Sequence, residues 1–235
     1  MDDAGRLRGA SRRYIMTAIE ASLKRLKTDW IDLYQVHKVD PLTPIEETLR
    51  ALDDLVRQGK VRYIGCSNFA AWQVVEAQWT ARHHNLNPFV SCQDEYSLVF
   101  RGLEKDLMPA MQAYGMGLLP FFPLASGLLT GKYRRHAPMP ADGRLASSKN
   151  MADRYMIPAA WDVVEKLSAF AAARGKSLLD LAFSWLLARG AASVIAGATK
   201  PEQIEQNVGA SAWKLSPEDL AEIEKLAPIG TVSVR

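Results

Sequence analysis

The amino-acid sequence predicts an α/β fold in which parallel strands alternate with helices. Short apolar runs are separated by amphipathic stretches, and each strand-helix unit takes about thirty residues. A strand followed by a helix and a second strand indicates parallel pairing. We predict five strands, at residues 30–37, 61–66, 89–93, 117–122 and 192–196.

Local signals mark where several helices begin and end. Ser11 is the predicted N-cap of a helix over 11–27, in which isoleucine and leucine recur every four positions. Thr43 is the predicted N-cap of a helix over 44–60, and Gly59 suits its C-terminal cap. Further helices are predicted at about 70–84, 103–114, 159–174, 177–189 and 201–208, and a last one opens at Ser216-Pro217-Glu218.

Composition bounds the class of protein. With 235 residues, 48% of them hydrophobic, the chain can bury one large core, and we expect a single domain over 1–235. A net charge of +3 is too small to indicate nucleic-acid binding, although four arginines cluster near the start, at Arg6, Arg8, Arg12 and Arg13. No apolar run approaches ~18 residues, so we expect no membrane segment.

Cysteine and histidine usage argues against disulfides and metals. Cys66 and Cys92 lie in apolar strand-like runs without metal-ligand spacing, so we expect buried free thiols and a reducing, cytoplasmic location. His83, His84 and His136 have no ligand pattern, and no metal is expected. The acidic start at Met1 does not resemble a secretory signal.

Residues 124–158 interrupt the alternation. They are rich in Gly, Ala, Pro, Arg and Ser, which predicts a long loop excursion with little core of its own. Long loops of this kind are usually functional or mobile.

Polar residues follow the predicted strands where each strand ends. His37 closes the first strand, and Ser67 with Asn68 closes the second. In parallel α/β folds the carboxyl ends of strands collect catalytic and binding groups. An ordinary helix cap would also favour Ser and Asn here, and the two roles are compatible.

Four motifs in order resemble the aldo-keto reductase family, NADP(H)-dependent enzymes built on a (β/α)8 TIM barrel. The motifs are Asp32-Leu33-Tyr34-Gln35-Val36-His37, Lys60 to Phe69 with its Ile-Gly-Cys-Ser-Asn-Phe core, Pro123 to Tyr133, and Gly197 to Gln203. The likeness covers about residues 11–228. Four motifs in the right order are more specific than one.

The resemblance implies roles for residues at the strand ends. His37 would be the tetrad histidine, a catalytic residue that helps to bind and polarise the substrate carbonyl. Ser67, Asn68 and Gln93 would hold the nicotinamide carboxamide, and Phe121 would stack beneath the ring, where many relatives have tyrosine.

The rest of NADP(H) would lie along two later motifs. By resemblance, the pyrophosphate would be wrapped by Leu124, Ser126, Gly127, Leu128 and Lys132. The adenosine end would be held by Gly197, Thr199, Lys200, Gln203, Gln206 and Asn207. A helix beginning near Pro201 offers free N–H groups and a positive dipole end beside Lys200, which suits the 2'-phosphate of NADP.

The sequence also departs from the family pattern. Five predicted strands are fewer than the eight of a closed barrel, and the family's catalytic Asp, Tyr and Lys lie on early strands that we do not find. We therefore expect an N-terminally incomplete barrel that lacks three βα units, with Met1 an internal start or a truncation. Carbonyl reduction would then be slow, because the alkoxide has no proton donor. Open sheet edges at 30–37 and 192–196 would favour self-association.

Three interpretations of function remain open at this point. The first is an NADPH-dependent oxidoreductase that, in its complete form, reduces an aldehyde or ketone to an alcohol. The alternative is a truncated, non-catalytic relative that acts as a nucleotide-binding or partner-binding module. A third, another phosphate-binding (β/α)8 enzyme such as an aldolase or isomerase, explains the barrel but not the set Ser67, Asn68 and Gln93.

Overall fold

The computed structural model describes residues 8–140 and 143–232, in two compact units. The first unit holds the described residues up to Asp94 together with Lys105–Leu118. The second holds Glu95–Glu104 and the described residues from Leu119 onward. Within the described ranges, no helix is both long and apolar enough to cross a membrane. Arg6 and Met1, which entered the sequence interpretation, lie outside the described residues.

Four strands of the described chain form one sheet in chain order, and the predicted α/β class is confirmed. Neighbouring strands from β1 to β3 pair in parallel, and the sheet order is β1-β2-β3-β4. This is the arrangement of a partial (β/α)8 barrel. The strands are β1 Ile31–Val36, β2 Val61–Ser67, β3 Phe89–Glu95 and β4 Gly117–Phe121.

Helices separate the strands and continue after the sheet. The first four are α1 Arg12–Leu26, α2 Ile45–Arg57, α3 Ala71–His83 and α4 Leu107–Ala113. The later ones are α5 Arg144–Ser147, α6 Lys149–Tyr155, α7 Pro158–Ala172, α8 Leu178–Ala188, α9 Pro201–Gly209 and α10 Pro217–Leu226. Short 3-10 segments occur at Gly102–Glu104, Ala125–Thr130 and Ala210–Ala212.

The predicted fifth strand, 192–196, is not a strand. One hydrogen bond joins the Ile195 N–H of this segment to the Pro120 carbonyl at 2.9 Å. Ile195 is 43% exposed. A single bond to β4 does not make a ladder, and the sheet of the described residues consists of β1 to β4.

Helix caps follow the predictions with one exception. Ser11 caps α1 and accepts a hydrogen bond from the Tyr14 N–H at 3.4 Å. Thr43 does not cap α2, because its hydroxyl donates instead to the Asp40 carboxylate at 2.8 Å, and the N-cap is Pro44. After α2, Gly59 takes a left-handed φ of 74°, as its predicted role at the C-terminal cap requires.

The expectation that residues 124–158 have little core is wrong. The segment contains the 3-10 turn and the short helices α5 and α6. Its glycines and serines separate these short elements and do not mark a solvated loop. Among the larger residues that it buries are Leu128, Leu129, Tyr133, Leu145 and Tyr155.

The two cysteines are free and buried, as expected. Cys66 of β2 lies opposite Cys92 of β3 in the parallel register, and neither side chain is exposed. The neighbouring Cys92 thiol and burial both raise the pKa of the Cys66 thiol.

A buried charge network occupies the second unit. The Arg101 guanidinium donates to the Glu104 carboxylate at 2.6 Å and to Glu224 at 2.6 Å, and it lies 5.1 Å from the Trp185 ring. Arg189 donates to Glu104 at 2.7 Å. Burial by itself would raise the pKa of Glu104, but the hydrogen bonds from Arg101 hold that pKa below its usual value. The network thus keeps three elements of the unit together.

We predict that Arg101→Met lowers the free energy of unfolding by about 3–5 kcal/mol, because it leaves the Glu104 carboxylate buried without its main partner. Urea denaturation followed by circular dichroism measures the change. The control is Arg50→Met, whose partner Glu46 is largely exposed, and which should change stability far less. Equal decreases in the free energy of unfolding for the two variants would show that burial of the ion pair does not determine the effect.

Candidate active site

The carboxyl ends of β2 and β3 lie side by side in the first unit. Ser67 is the register partner of Gln93. The next residue, Asn68, donates its backbone N–H to the Gln93 carbonyl at 3.2 Å. Asn68 adopts a left-handed φ of 58°, a conformation that asparagine tolerates better than most residues. This turn directs the chain from β2 toward α3.

The Asn68 side chain links the ends of β1 and β2. Its Nδ2 donates to the His37 carbonyl at 3.0 Å and to Ser67 Oγ at 2.8 Å. Ser67 is buried, whereas the side chains of His37 and Asn68 are exposed. Four residues predicted from the sequence, His37, Ser67, Asn68 and Gln93, therefore form one hydrogen-bonded set at the sheet edge.

Gln35 belongs to the same set and was missed by the sequence analysis. Its Nε2 donates to Gln93 Oε1 at 2.9 Å, which fixes the orientation of the Gln93 amide. Its own Oε1 is buried and has no hydrogen-bond partner within the described ranges. Gln35 lies two residues before His37 and so on the same face of β1, a signal that strand alternation offers.

A glycine makes room for this polar layer. A Cβ atom added at Gly65 would lie 2.5 Å from Ser91 Oγ and 3.3 Å from Gln35 Cγ. Real Cβ atoms do not approach so closely, so any side chain at Gly65 would displace one of these neighbours. The glycine of the Gly-Cys-Ser-Asn motif is thus needed for the packing of Gln35.

The opposite face of β1 points toward α1. Burial raises the pKa of the Tyr34 hydroxyl, with Tyr14 of α1 adding to the rise. An open groove of about 1230 Å³ runs along α1 and the edge of β1 that is unpaired in the described chain, and residues from both faces of the strand, including Tyr34, Gln35 and His37, line it. No strand in the described part of the chain pairs with the outer edge of β1.

A tight turn follows β4 in the second unit. Ala125, Ser126 and Gly127 have left-handed φ values of 47°, 55° and 100°. The Gly127 N–H donates to the Leu124 carbonyl at 2.8 Å, and the Thr130 hydroxyl donates to the Gly127 carbonyl at 2.7 Å. Turns can present backbone N–H groups to an anion, although those of Ala125 and Gly127 already donate within this turn.

The other residues predicted near this turn differ in accessibility. Phe121 is half-buried, and its ring packs edge-on against Phe122 with centroids 5.3 Å apart. Leu128 is fully buried, so only its backbone could contact a ligand. Lys132 is exposed, and its ammonium lies 5.3 Å from the Tyr133 ring.

The last predicted group surrounds the start of α9. Lys200 is the N-cap residue and its side chain is exposed. Gln203 Oε1 accepts hydrogen bonds from the Thr199 N–H at 2.7 Å and from the Thr199 hydroxyl at 3.2 Å, so this amide already orders the turn. Gly197 and Gln206 are exposed, and Asn207 is half-buried.

The fold and these strand ends define the class of protein. Parallel βα units with polar side chains gathered at the carboxyl ends of the strands are the architecture of (β/α)8 barrel enzymes. Residues 1–228 match the sequence profile of the Aldo/keto reductase family. The chain belongs to the aldo/keto reductase family.

Individual relatives carry different names. The chain is 39% identical over 207 residues to a probable voltage-gated potassium channel subunit beta of Oryza sativa subsp. japonica, covering 86% of this chain and 63% of that protein. It is 34% identical over 224 residues to the L-glyceraldehyde 3-phosphate reductase of Escherichia coli O157:H7, covering 92% and 64%. It is 35% identical over 219 residues to an aldo-keto reductase of Fusarium vanettenii, covering 93% and 58%. The chain therefore spans roughly three fifths of the length of these relatives.

We predict that Asn68→Gly and Asn68→Ala both lower the free energy of unfolding. The alanine variant should be less stable than the glycine variant by ~1 kcal/mol. Both variants lose the hydrogen bonds to His37 and Ser67, but only alanine must take a left-handed backbone with a Cβ atom. Urea denaturation of the two variants and the wild type measures the difference. Equal free energies of unfolding for the two variants would mean that the turn relaxes out of the left-handed region.

Proposed function

We propose that this chain is part of an NADPH-dependent oxidoreductase that reduces an aldehyde or ketone to an alcohol. The observation that carries the proposal is the hydrogen-bonded set His37, Ser67, Asn68 and Gln93 at the sheet edge, in a member of the aldo/keto reductase family. When bound, the cofactor supplies the hydride. The residues of this chain bind it, orient it and receive the substrate.

The strand ends suit a carboxamide. A carboxamide needs both hydrogen-bond donors and acceptors, and the side chains of Ser67, Asn68 and Gln93 supply both. The buried, unpartnered Oε1 of Gln35 is one more acceptor beside Gln93. Because Gln35 fixes the Gln93 amide, the set is ordered before any ligand arrives.

The pyrophosphate would be held by the turn after β4. The left-handed residues Ala125, Ser126 and Gly127 turn the backbone sharply there, and the exposed Lys132 supplies a positive charge nearby in sequence. The fully buried Leu128 would contribute its backbone only. Phe121 would offer an aromatic face to the nicotinamide ring.

The adenosine end would lie at the start of α9. The N-terminus of this nine-residue helix carries free N–H groups and a partial positive charge. Lys200 is exposed at the same place and has no ion-pair partner among the described residues. A lysine at a helix N-terminus suits a phosphate monoester, which is the reason to propose NADP(H) as the cofactor.

His37 would bind and polarise the substrate carbonyl. Its exposed ring follows β1, and the Asn68 hydrogen bond holds its backbone at the sheet edge. The proton that completes carbonyl reduction must come from a general acid, and the residues assigned here do not include one. Cofactor binding is therefore the property to measure first on this chain.

We predict that Lys200→Ala weakens NADPH binding about tenfold and leaves NADH binding nearly unchanged, because it removes a charge-assisted contact to the 2'-phosphate. Titration of cofactor fluorescence gives both dissociation constants. Lys214→Ala, which removes another exposed lysine of the second unit, is the matched control. Equal losses for NADPH and NADH would overturn the role of Lys200, and no binding of NADPH to the wild type would overturn the proposed function.

One observation supports a second candidate, a partner-binding module. The outer edge of β1 is unpaired in the described chain and borders the groove along α1. Open edges pair readily with other strands. The rice relative is named as a channel subunit, which fits a partner-binding role for this family member.

For this second candidate we predict concentration-dependent self-association through β1. Sedimentation velocity over a series of protein concentrations measures it. Leu33→Pro, which removes a backbone N–H and stiffens the strand, should shift the distribution toward monomer. A wild-type chain that stays monomeric at every concentration would argue against self-association through this edge.

A further inference from the structure

A buried carboxylate at the end of β3 has no part in the proposed function described so far. Glu95 is the last residue of β3 and is 5% exposed. The Tyr155 hydroxyl and the Arg154 guanidinium of α6 both donate hydrogen bonds to it. A buried charge is destabilising unless it is paired. The hydrogen bonds from Tyr155 and Arg154 therefore hold α6 against Glu95. All three residues belong to the second unit.

Helix α6 also contacts the turn that follows β4. The Ser126 hydroxyl donates to Met151 Sδ of α6 at 3.6 Å. The Tyr155 ring packs edge-on against Phe122, with centroids 6.3 Å apart. Burial and the Glu95 carboxylate raise the pKa of the Tyr155 hydroxyl, while the Ser126 side chain acts in the opposite sense. The same helix therefore contacts Glu95 on one side and the turn on the other.

The turn needs such support. Phe122, Ala125 and Ser126 are not glycines, yet each has a left-handed φ, of 48°, 47° and 55°. Each such residue is strained and persists only where its surroundings determine the backbone. Ala125 is fully buried and Ser126 is 6% exposed, so packing from neighbouring elements supplies that determination.

We infer that Glu95 and Tyr155 are positioning residues for the pyrophosphate of the cofactor, which hold the turn 125–127 in its binding shape through α6. This inference rests on the proposed function, since it takes the turn to be the pyrophosphate site. Neither residue touches the ligand. The hydrogen bond sets the place of α6, and α6 sets the place of Ser126 and Phe122.

A purely structural role predicts a different outcome. If Glu95 and Tyr155 only stabilised the unit, their loss would weaken every ligand alike in proportion to the unfolded fraction. A positioning role predicts selective weakening of ligands that reach the turn. NADPH reaches it, whereas adenosine 2'-monophosphate engages only the proposed adenosine end at Lys200.

The test is Tyr155→Phe, which keeps the ring against Phe122 and removes only the hydroxyl. We expect the dissociation constant of NADPH to rise about tenfold, because the pyrophosphate must then order a turn that α6 no longer holds. Binding of adenosine 2'-monophosphate should not change. The control is Tyr114→Phe, which alters a tyrosine in the first unit and should change neither constant.

Two substitutions of Glu95, the acceptor of the Tyr155 hydrogen bond, complete the experiment. Glu95→Gln keeps an oxygen that accepts from Tyr155, so NADPH binding should stay closer to that of the wild type than in Glu95→Ala. Hydrogen exchange of the amides at 122–132 should be faster in Tyr155→Phe and in Glu95→Ala than in the wild type. Thermal melts of each variant show whether it is folded at the assay temperature.

The outcomes separate this inference from the function on which it rests. A wild-type chain that does not bind NADPH would overturn both. NADPH binding by the wild type that is unchanged in folded Tyr155→Phe would overturn the inference alone. Equal losses for NADPH and adenosine 2'-monophosphate would assign Glu95 and Tyr155 a general structural role.

Discussion

Parallel pairing of β1, β2 and β3 is the constraint on which the candidate site depends. Because the three strands run in the same direction, their carboxyl ends meet at one edge of the sheet. The register places Ser67 beside Gln93, and Asn68 then bridges to the end of β1. An antiparallel neighbour would have carried its polar end to the opposite edge. The chemistry of the site is therefore a consequence of strand direction.

The sequence was sufficient for the features that arise from local patterns. Alternating apolar runs located β1 to β4 within two residues of their observed ends, because strand burial has a short period. The polar residues Ser67 and Asn68 at the end of β2 were likewise found from the sequence, whereas the left-handed φ of Asn68 is seen only in the structure. The resemblance to the family also implies roles for individual residues, which the spacing of residues alone cannot assign. Those roles remain predictions.

Other features depend on pairs that are far apart in the chain. Gln35 and Gln93 are separated by 58 positions, and Glu95 and Tyr155 by 60. Neither pair has a sequence signal of its own, because only the register and the docking of α6 bring the partners together. Thr43 failed as a cap for a local reason instead, because its hydroxyl donates to the Asp40 carboxylate three residues earlier. The strand predicted at 192–196 fits the alternating pattern, but the segment makes one hydrogen bond to β4 where a strand needs a ladder.

The paired thiols of β2 and β3 have a practical consequence. Cys66 and Cys92 are sealed inside the sheet, and the raised pKa of Cys66 keeps that sulfur protonated near neutral pH. The thiolate is the reactive form, so native protein offers alkylating reagents very little to attack. A cysteine introduced at an exposed position can then carry a fluorophore or spin label by itself, without removal of the natural thiols. Folding of the sheet thus protects both thiols from modification.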